Sequence, residues 1–141
     1  LSAPIDAISN EEMASALNWW ANHGIKRTSK IRVIFVGTFS RAFDFETVFS
    51  AAAKLKNKNI DCEFVLCGDG ERVDDLRSAS ANLDNVKIFG WIHRPQIVAL
   101  SHLSNCTIAP YKNTYDFSIS IPNKIVANKR CAFCINPIIS M

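Results

Sequence analysis

The chain has 141 residues, of which 48% are hydrophobic and 21% charged, with a formal net charge of +3 and a pI near 8.7. That is one domain's length with enough apolar material for a core without metal or disulfide staples, and the weak basic excess makes no case for nucleic acid. No apolar run approaches the ~20 residues of a membrane span, and the first residues lack the basic stretch and apolar run of a secretory leader.

The missing initiator Met and the closing "CINPIISM", which reads as a strand cut off at its end, point to a fragment of a longer protein, truncated at the C-terminus. The cysteines Cys62, Cys67, Cys106, Cys131 and Cys134 are odd in number and spread over apolar segments, the pattern of reduced thiols in a cytoplasmic protein. "CAFC" (131–134) has the spacing of a redox or zinc pair. A redox pair normally opens a helix after a strand, and zinc needs two more ligands, so buried structural thiols are the favoured reading.

Residues 1–30 read as an edge helix with its lead-in, and 31–141 as an α/β core within the same domain. Ser9 and Glu12 make a capping box, Met13, Ala16, Leu17 and Trp20 share one face, and Gly24 can end the helix. Trp19 lies off that stripe and covers either a neighbouring surface or another domain. "IRVIFVG" (31–37) and "CEFVLCG" (62–68) are near-continuous apolar runs, the signature of strands buried on both faces. Helices are expected over 44–58, with Asp44 as cap, over 71–83, and over 95–104, with Pro95 near the start. Shorter strands are expected at 86–90 and 105–109. A last helix is expected to start near Pro122. This alternation predicts an open parallel sheet with helices on both faces.

In such sheets ligands sit beyond the carboxyl ends of the strands. Four stretches after strands are therefore candidates: 37–41, 68–71, 90–93 and 110–112, joined by the loop and helix start at 118–124. Gly37 lets backbone pass close to a ligand, and Ser40 and Arg41 offer donors. "GTFSRA" is neither a dinucleotide fingerprint nor a P-loop. Gly68 and Gly70 flank Asp69 in "GDGE", either a nucleotide-hugging loop or a tight turn into a helix. Trp91 and Ile92 can pack a base, or Trp91 can anchor core or a second domain. His93, His23 and His102 form no paired pattern, so no metal site is expected. Ser118, Ser120, Asn123 and Lys124 surround a helix start, where unpaired N–H groups, a hydroxyl and one Lys suit a diphosphate. The bland alternative is an ordinary capped helix with a solvated Lys.

Taken in order, "VGTFSRAFDFETVFSAA", "FVLCGDGE", "NVKIFGWI", "ALSHLSNCTIAPY" and "SIPNK" resemble the C-terminal domain of family 4 glycosyltransferases, enzymes of two-domain GT-B architecture. The resemblance runs from about Ile31 to Lys124. It implies a Rossmann-like half that binds a nucleotide-diphospho-sugar such as a UDP-, GDP- or ADP-sugar. Transfer with retention would go to an acceptor held by an N-terminal domain missing from this chain, and the chain alone would be inactive. No metal or other cofactor is implied, because helix N-termini and basic side chains neutralise the leaving diphosphate. By position, Gly37 to Arg41 would lie near the diphosphate, Trp91 and Ile92 would flank the base, and Ser120 to Lys124 would open the phosphate-binding helix. No catalytic residue is assigned.

A cytoplasmic location is implied, or one peripheral to the inner face of a membrane if the missing half makes that contact. The sequence departs from the family pattern in four places. Thr38 stands where many members have Arg, Phe43-Asp44 where they have Lys-Gly, Ala127 where a ribose-binding Glu is usual, and Ile119 where its partner Glu falls in many members. Two other readings stay open: a non-catalytic or degenerate module of the same fold, which Ala127 supports, and half of a nucleotide-sugar epimerase, which shares the architecture but for which no acid–base set is identified.

Overall fold

A computed structural model describes residues 8–112. The elements follow in the order α1 (Asn10–Asn22), β1 (Ile31–Thr38), α2 (Phe45–Asn57), β2 (Cys62–Asp69), α3 (Val73–Ala79), β3 (Val86–Phe89), α4 (Arg94–His102) and β4 (Cys106–Thr107). The strands form one parallel sheet in the order β3-β2-β1-β4. The chain steps outward from β1 to β3, then crosses back to the other side of β1. That reversal makes the crevice between β1 and β4 the switch point of the sheet.

Local chemistry explains most boundaries. The Ser9 hydroxyl accepts from the Glu12 N–H at 3.0 Å, and Glu12 accepts from the Ser9 N–H at 3.1 Å, so the capping box closes. Asp44 caps α2 by accepting from the Thr47 N–H at 3.1 Å. α3 ends at Ala79, short of the 71–83 expected. The Ser80 hydroxyl donates back to the Leu76 carbonyl at 2.8 Å, and the following turn delivers Asn85 to the start of β3, where its amide donates to the Ala52 carbonyl of α2 at 3.0 Å. β4 is two residues long where five were expected, although the Ile108 N–H still bonds the Ile34 carbonyl at 2.9 Å. The helix expected near Pro122 and the "CAFC" pair lie outside the described residues.

The two faces of the sheet carry separate cores. Phe35, Phe64, Leu66 and Val86 pack under α2 and α3, with Val48, Phe49, Ala52 and Leu76 from the helices. Ile34, Val65 and Cys67 pack under α1 and α4, with Ala16, Trp20, Ala99 and Leu100. The alternation of neighbours such as Ile34 and Phe35 between faces is what a twofold strand period requires. α1 is locked to α4 by the Trp20 indole, fully buried, which donates to the Gln96 carbonyl at 2.8 Å. Trp19 covers a neighbouring surface within the domain, edge-on to Trp20 at 4.9 Å and near Phe89 at 6.5 Å. Burial pushes the Cys67 thiol up to about 12 and raises that of Cys62, so both stay protonated and unreactive.

One ion pair sits inside this apolar frame. Arg32 and Glu63 are register partners on β1 and β2, and Arg32 Nε lies 2.5 Å from Glu63 Oε2, with side chains 3% and 6% exposed. Arg32 Nη1 donates to the Leu103 carbonyl at 2.7 Å, and Lys87 approaches Glu63 Oε1 at 3.6 Å. The pair thus ties β1, β2, β3 and the end of α4 together at the amino edge of the sheet. Removing one partner strands a buried charge, which costs about 3–5 kcal/mol, whereas an apolar replacement of both is near neutral. Glu63→Ala is therefore expected to lower the urea-unfolding free energy by about 3 kcal/mol, and Arg32→Met/Glu63→Leu to recover most of the loss. A single variant as stable as the parent would contradict this role.

Candidate functional site at the carboxyl edge of the sheet

At the carboxyl ends of β1 and β2 the two chains come too close for a side chain. Gly37 and Gly68 are register partners. A Cβ on Gly68 would lie 1.7 Å from the Gly37 carbonyl oxygen, and the φ of Gly68 is +152°. Two residues on, Gly70 has φ +155°, and a Cβ there would meet the Phe39 carbonyl oxygen at 2.6 Å. Only glycine fits at these positions.

Main-chain hydrogen bonds lace the loops through these gaps. The Phe39 N–H donates to the Asp69 carbonyl at 3.0 Å, the Arg72 N–H to the Phe39 carbonyl at 3.1 Å, and the Gly68 N–H to the Gly90 carbonyl at 3.1 Å. On the β4 side the Asp44 N–H bonds the Pro110 carbonyl at 2.6 Å, and the Lys112 N–H bonds the Ala42 carbonyl at 3.0 Å. Beneath loop 38–44, Phe39 and Phe43 are buried among Phe35 and Phe45, and Tyr111 lies over Phe43 at 4.8 Å between ring centres. The loop is thus nailed down by aromatic side chains while its polar residues face out.

This edge gathers Gly37, Ser40, Arg41, Gly68, Gly70, Trp91 and Ile92. Ser40 stabilises its own turn, its hydroxyl accepting from the Ala42 N–H at 3.3 Å. Arg41 reaches Glu71 of the neighbouring loop, Nε to Oε1 at 3.0 Å. Trp91 is 65% exposed, whereas the side chain of Ile92 is 3% exposed and buried in the α1/α4 core. Ile92 therefore has only main chain to offer a ligand. Ser120, Asn123 and Lys124 lie outside the described residues.

One ion pair at this edge has no local sequence signature. Both terminal nitrogens of Arg72 reach the Glu46 carboxylate at the start of α2, the Nη1–Oε1 contact being 3.4 Å. The guanidinium beside Glu46 holds that carboxyl below its usual range. Arg72 is 11% exposed on its side chain, so its charge belongs to the scaffold. Together with its N–H bond to Phe39, the pair fixes both ends of loop 39–45. Asp44, Glu46, Asp69 and Glu71 outnumber Arg41, Arg72 and Lys112 at this edge. α2 already holds a carboxylate cap, so its N-terminus is not an open seat for an anion.

Two hollows lie elsewhere. One of about 520 Å³ opens at the amino edge, lined by Lys30, Lys56, Lys87, Asp61, Glu63 and Asp84 among others. One of about 390 Å³ lies between α1 and α4 beside Trp19, His93 and Gln96. Among the described residues no group of His, Cys, Asp or Glu is placed to hold a metal ion, and no helix is long and apolar enough to cross a membrane.

The parallel sheet with its glycine-rich carboxyl edge is the Rossmann-like α/β fold found in GT-B glycosyltransferases. The C-terminal domain of a glycosyl transferase group 1 family protein, LpcC from Francisella tularensis, is similar over 94% of this chain and 69% of that one, at 16% identity and a TM-score of 0.58. WaaG, a glycosyltransferase involved in lipopolysaccharide biosynthesis, is similar over 77% of this chain and 28% of that one, at 13% identity and a TM-score of 0.56. The catalytic domain of cholesterol-α-glucosyltransferase from Helicobacter pylori shares 17% identity over 57% of this chain and 50% of that one, with a TM-score of 0.48. The chain thus spans half or less of the last two. No curated protein matches the sequence. Residues 20–121, more than half of the chain, match the family described as glycosyl transferases group 1, and the chain belongs to that family.

The glycine contacts yield a paired test. Gly68→Ala is expected to cost more than about 3 kcal/mol or to prevent folding, because a main-chain atom cannot give way as a side chain can. Gly90→Ala, where an added Cβ would meet nothing within 4 Å, is expected to fold normally. Thermal melting of the two variants checks this, and equal stability would contradict the close approach of β1 and β2.

Proposed function

We propose that this chain is the C-terminal, donor-binding domain of a family 4 glycosyltransferase, and that its carboxyl edge binds a nucleotide-diphospho-sugar. Transfer would proceed with retention, to an acceptor held by an N-terminal domain. The observation that carries this reading is the joining of loops 37–41, 68–71 and 90–92 at one edge of a group 1 glycosyltransferase domain, laced by main-chain hydrogen bonds and by the Arg41–Glu71 pair.

The chemistry fits the assignment of parts. Arg41 is the exposed cation of the first loop and would take a phosphate oxygen. Trp91 presents an unburied indole for the base. The helix start expected from sequence at Ser120, Asn123 and Lys124 would carry most of the remaining diphosphate charge, since carboxylates outnumber cations in the described part of the edge. No metal is required in this scheme. The cellular setting that goes with it is the cytoplasm, with membrane contact through the other domain.

A second reading, a non-catalytic module of the same fold, is favoured by Ala127 in place of the ribose-binding Glu and by the acidic edge. Binding separates the two. Trp20 is buried, Trp19 packs against the α1/α4 core, and Trp91 is exposed at this edge, so Trp91 is the natural fluorescence reporter. In the full-length protein, one of UDP, GDP or ADP is expected to change that fluorescence and raise the melting temperature. Arg41→Ala is expected to weaken the same binding about fivefold, less than a buried charge-assisted hydrogen bond would give. If no nucleoside diphosphate or nucleotide-sugar has either effect, the non-catalytic module is the better description.

A further inference from the structure

We propose that Glu71 competes with the incoming anion for Arg41, so that the Arg41–Glu71 pair is exchanged on binding and sets the affinity of the site. The inference rests on the donor-binding reading, because it needs a diphosphate to arrive at loop 37–41. It adds a role for the acidic residue of the Gly-Asp-Gly-Glu loop, which otherwise serves only as a turn.

The geometry of the pair supports exchange. Arg41 touches Glu71 through Nε alone, at 3.0 Å, and the side chains are 71% and 56% exposed. The terminal nitrogens of Arg41 make no hydrogen bond within the described residues, so the edge of the guanidinium that grips phosphate bidentately is open. Arg41 is also the only basic residue between Gly37 and Phe45. The nearby Arg72 cannot substitute, being almost buried and held on both terminal nitrogens by Glu46. An anion at this loop therefore meets Arg41 and Glu71 together.

Glu71 could instead help by orienting Arg41, and magnitudes decide between the roles. An exposed ion pair contributes less than about fivefold to any equilibrium, which caps the orienting benefit. A like charge about 4 Å away in water costs about fivefold for each charge it faces, and a diphosphate carries more than one. Repulsion therefore outweighs orientation, and neutralising Glu71 tightens binding.

The test is a titration of the full-length protein with UDP, GDP, ADP and inorganic pyrophosphate, read by tryptophan fluorescence and by calorimetry. Glu71→Gln is expected to tighten binding about fivefold and to leave the melting temperature within about 2 °C of the parent, as befits an exposed pair. In an Arg41→Ala background the same substitution is expected to tighten binding less than it does in the parent, because the direct repulsion remains while the competition for Arg41 is gone. Weaker or unchanged binding by Glu71→Gln overturns the inference while leaving the donor reading intact. A gain that persists undiminished without Arg41 also overturns it, since the effect is then general repulsion. If parent and variant alike bind none of the four anions, the inference falls together with the reading beneath it.

Discussion

The close approach of Gly37 and Gly68 is the constraint on which the carboxyl edge depends. Main-chain hydrogen bonds space parallel strands, and side chains project to the two faces of the sheet, but the φ of +152° at Gly68 would turn a side chain toward β1 instead. Here the Gly37 carbonyl occupies the space where the Gly68 Cβ would be. The loops after β1 and β2 can therefore run side by side and exchange main-chain hydrogen bonds from Phe39 to Asp69 and from Arg72 to Phe39. Gly68 in turn bonds the Gly90 carbonyl, which brings the Trp91 loop to the same line. A ligand arriving there meets the exposed side chains of Arg41 and Trp91, carried on loops that main-chain hydrogen bonds hold in place.

Charge is distributed according to depth. At the amino edge Arg32 and Glu63 are enclosed, and their attraction operates where water cannot screen it. At the carboxyl edge Arg72 and Glu46 form an intermediate case, one partner covered and the other 62% exposed. Arg41 and Glu71 stand in solvent, where a pair contributes little and is easily traded. The gradient separates the parts that hold the fold from the parts free to meet a ligand. It also places the aromatic anchors Phe39 and Phe43 directly under the residues that would do the binding.

The sequence made the elements legible where their causes are local. The Ser9–Glu12 capping box, the Asp44 cap and the apolar runs of β1 and β2 each depend on residues a few positions apart, and the structure has them as expected. α3 came out shorter because its polar tail reads equally well as helix or turn. The ion pairs were not legible, since Arg32 and Glu63 are 31 residues apart and Glu46 and Arg72 are 26 apart. Only the register of the sheet and the meeting of loops bring them together. Position after a strand placed loops 37–41, 68–71 and 90–92 at one edge but could not say which way Ile92 points. Its burial follows from the packing of α1 on α4, which no pattern around 90–93 encodes. The helix start expected at 120–124, the strongest candidate by sequence, lies outside the described residues.

The central claim is that a nucleoside diphosphate seats at the carboxyl edge, and amide chemical-shift mapping of the full-length protein tests it most directly. The account predicts that UDP, GDP or ADP shifts the amides of 37–41, 68–71 and 90–92 and leaves those around Lys30, Lys56 and Lys87 in place. Shifts confined to the polar cavity at the amino edge, with the glycine loops unmoved, would contradict it.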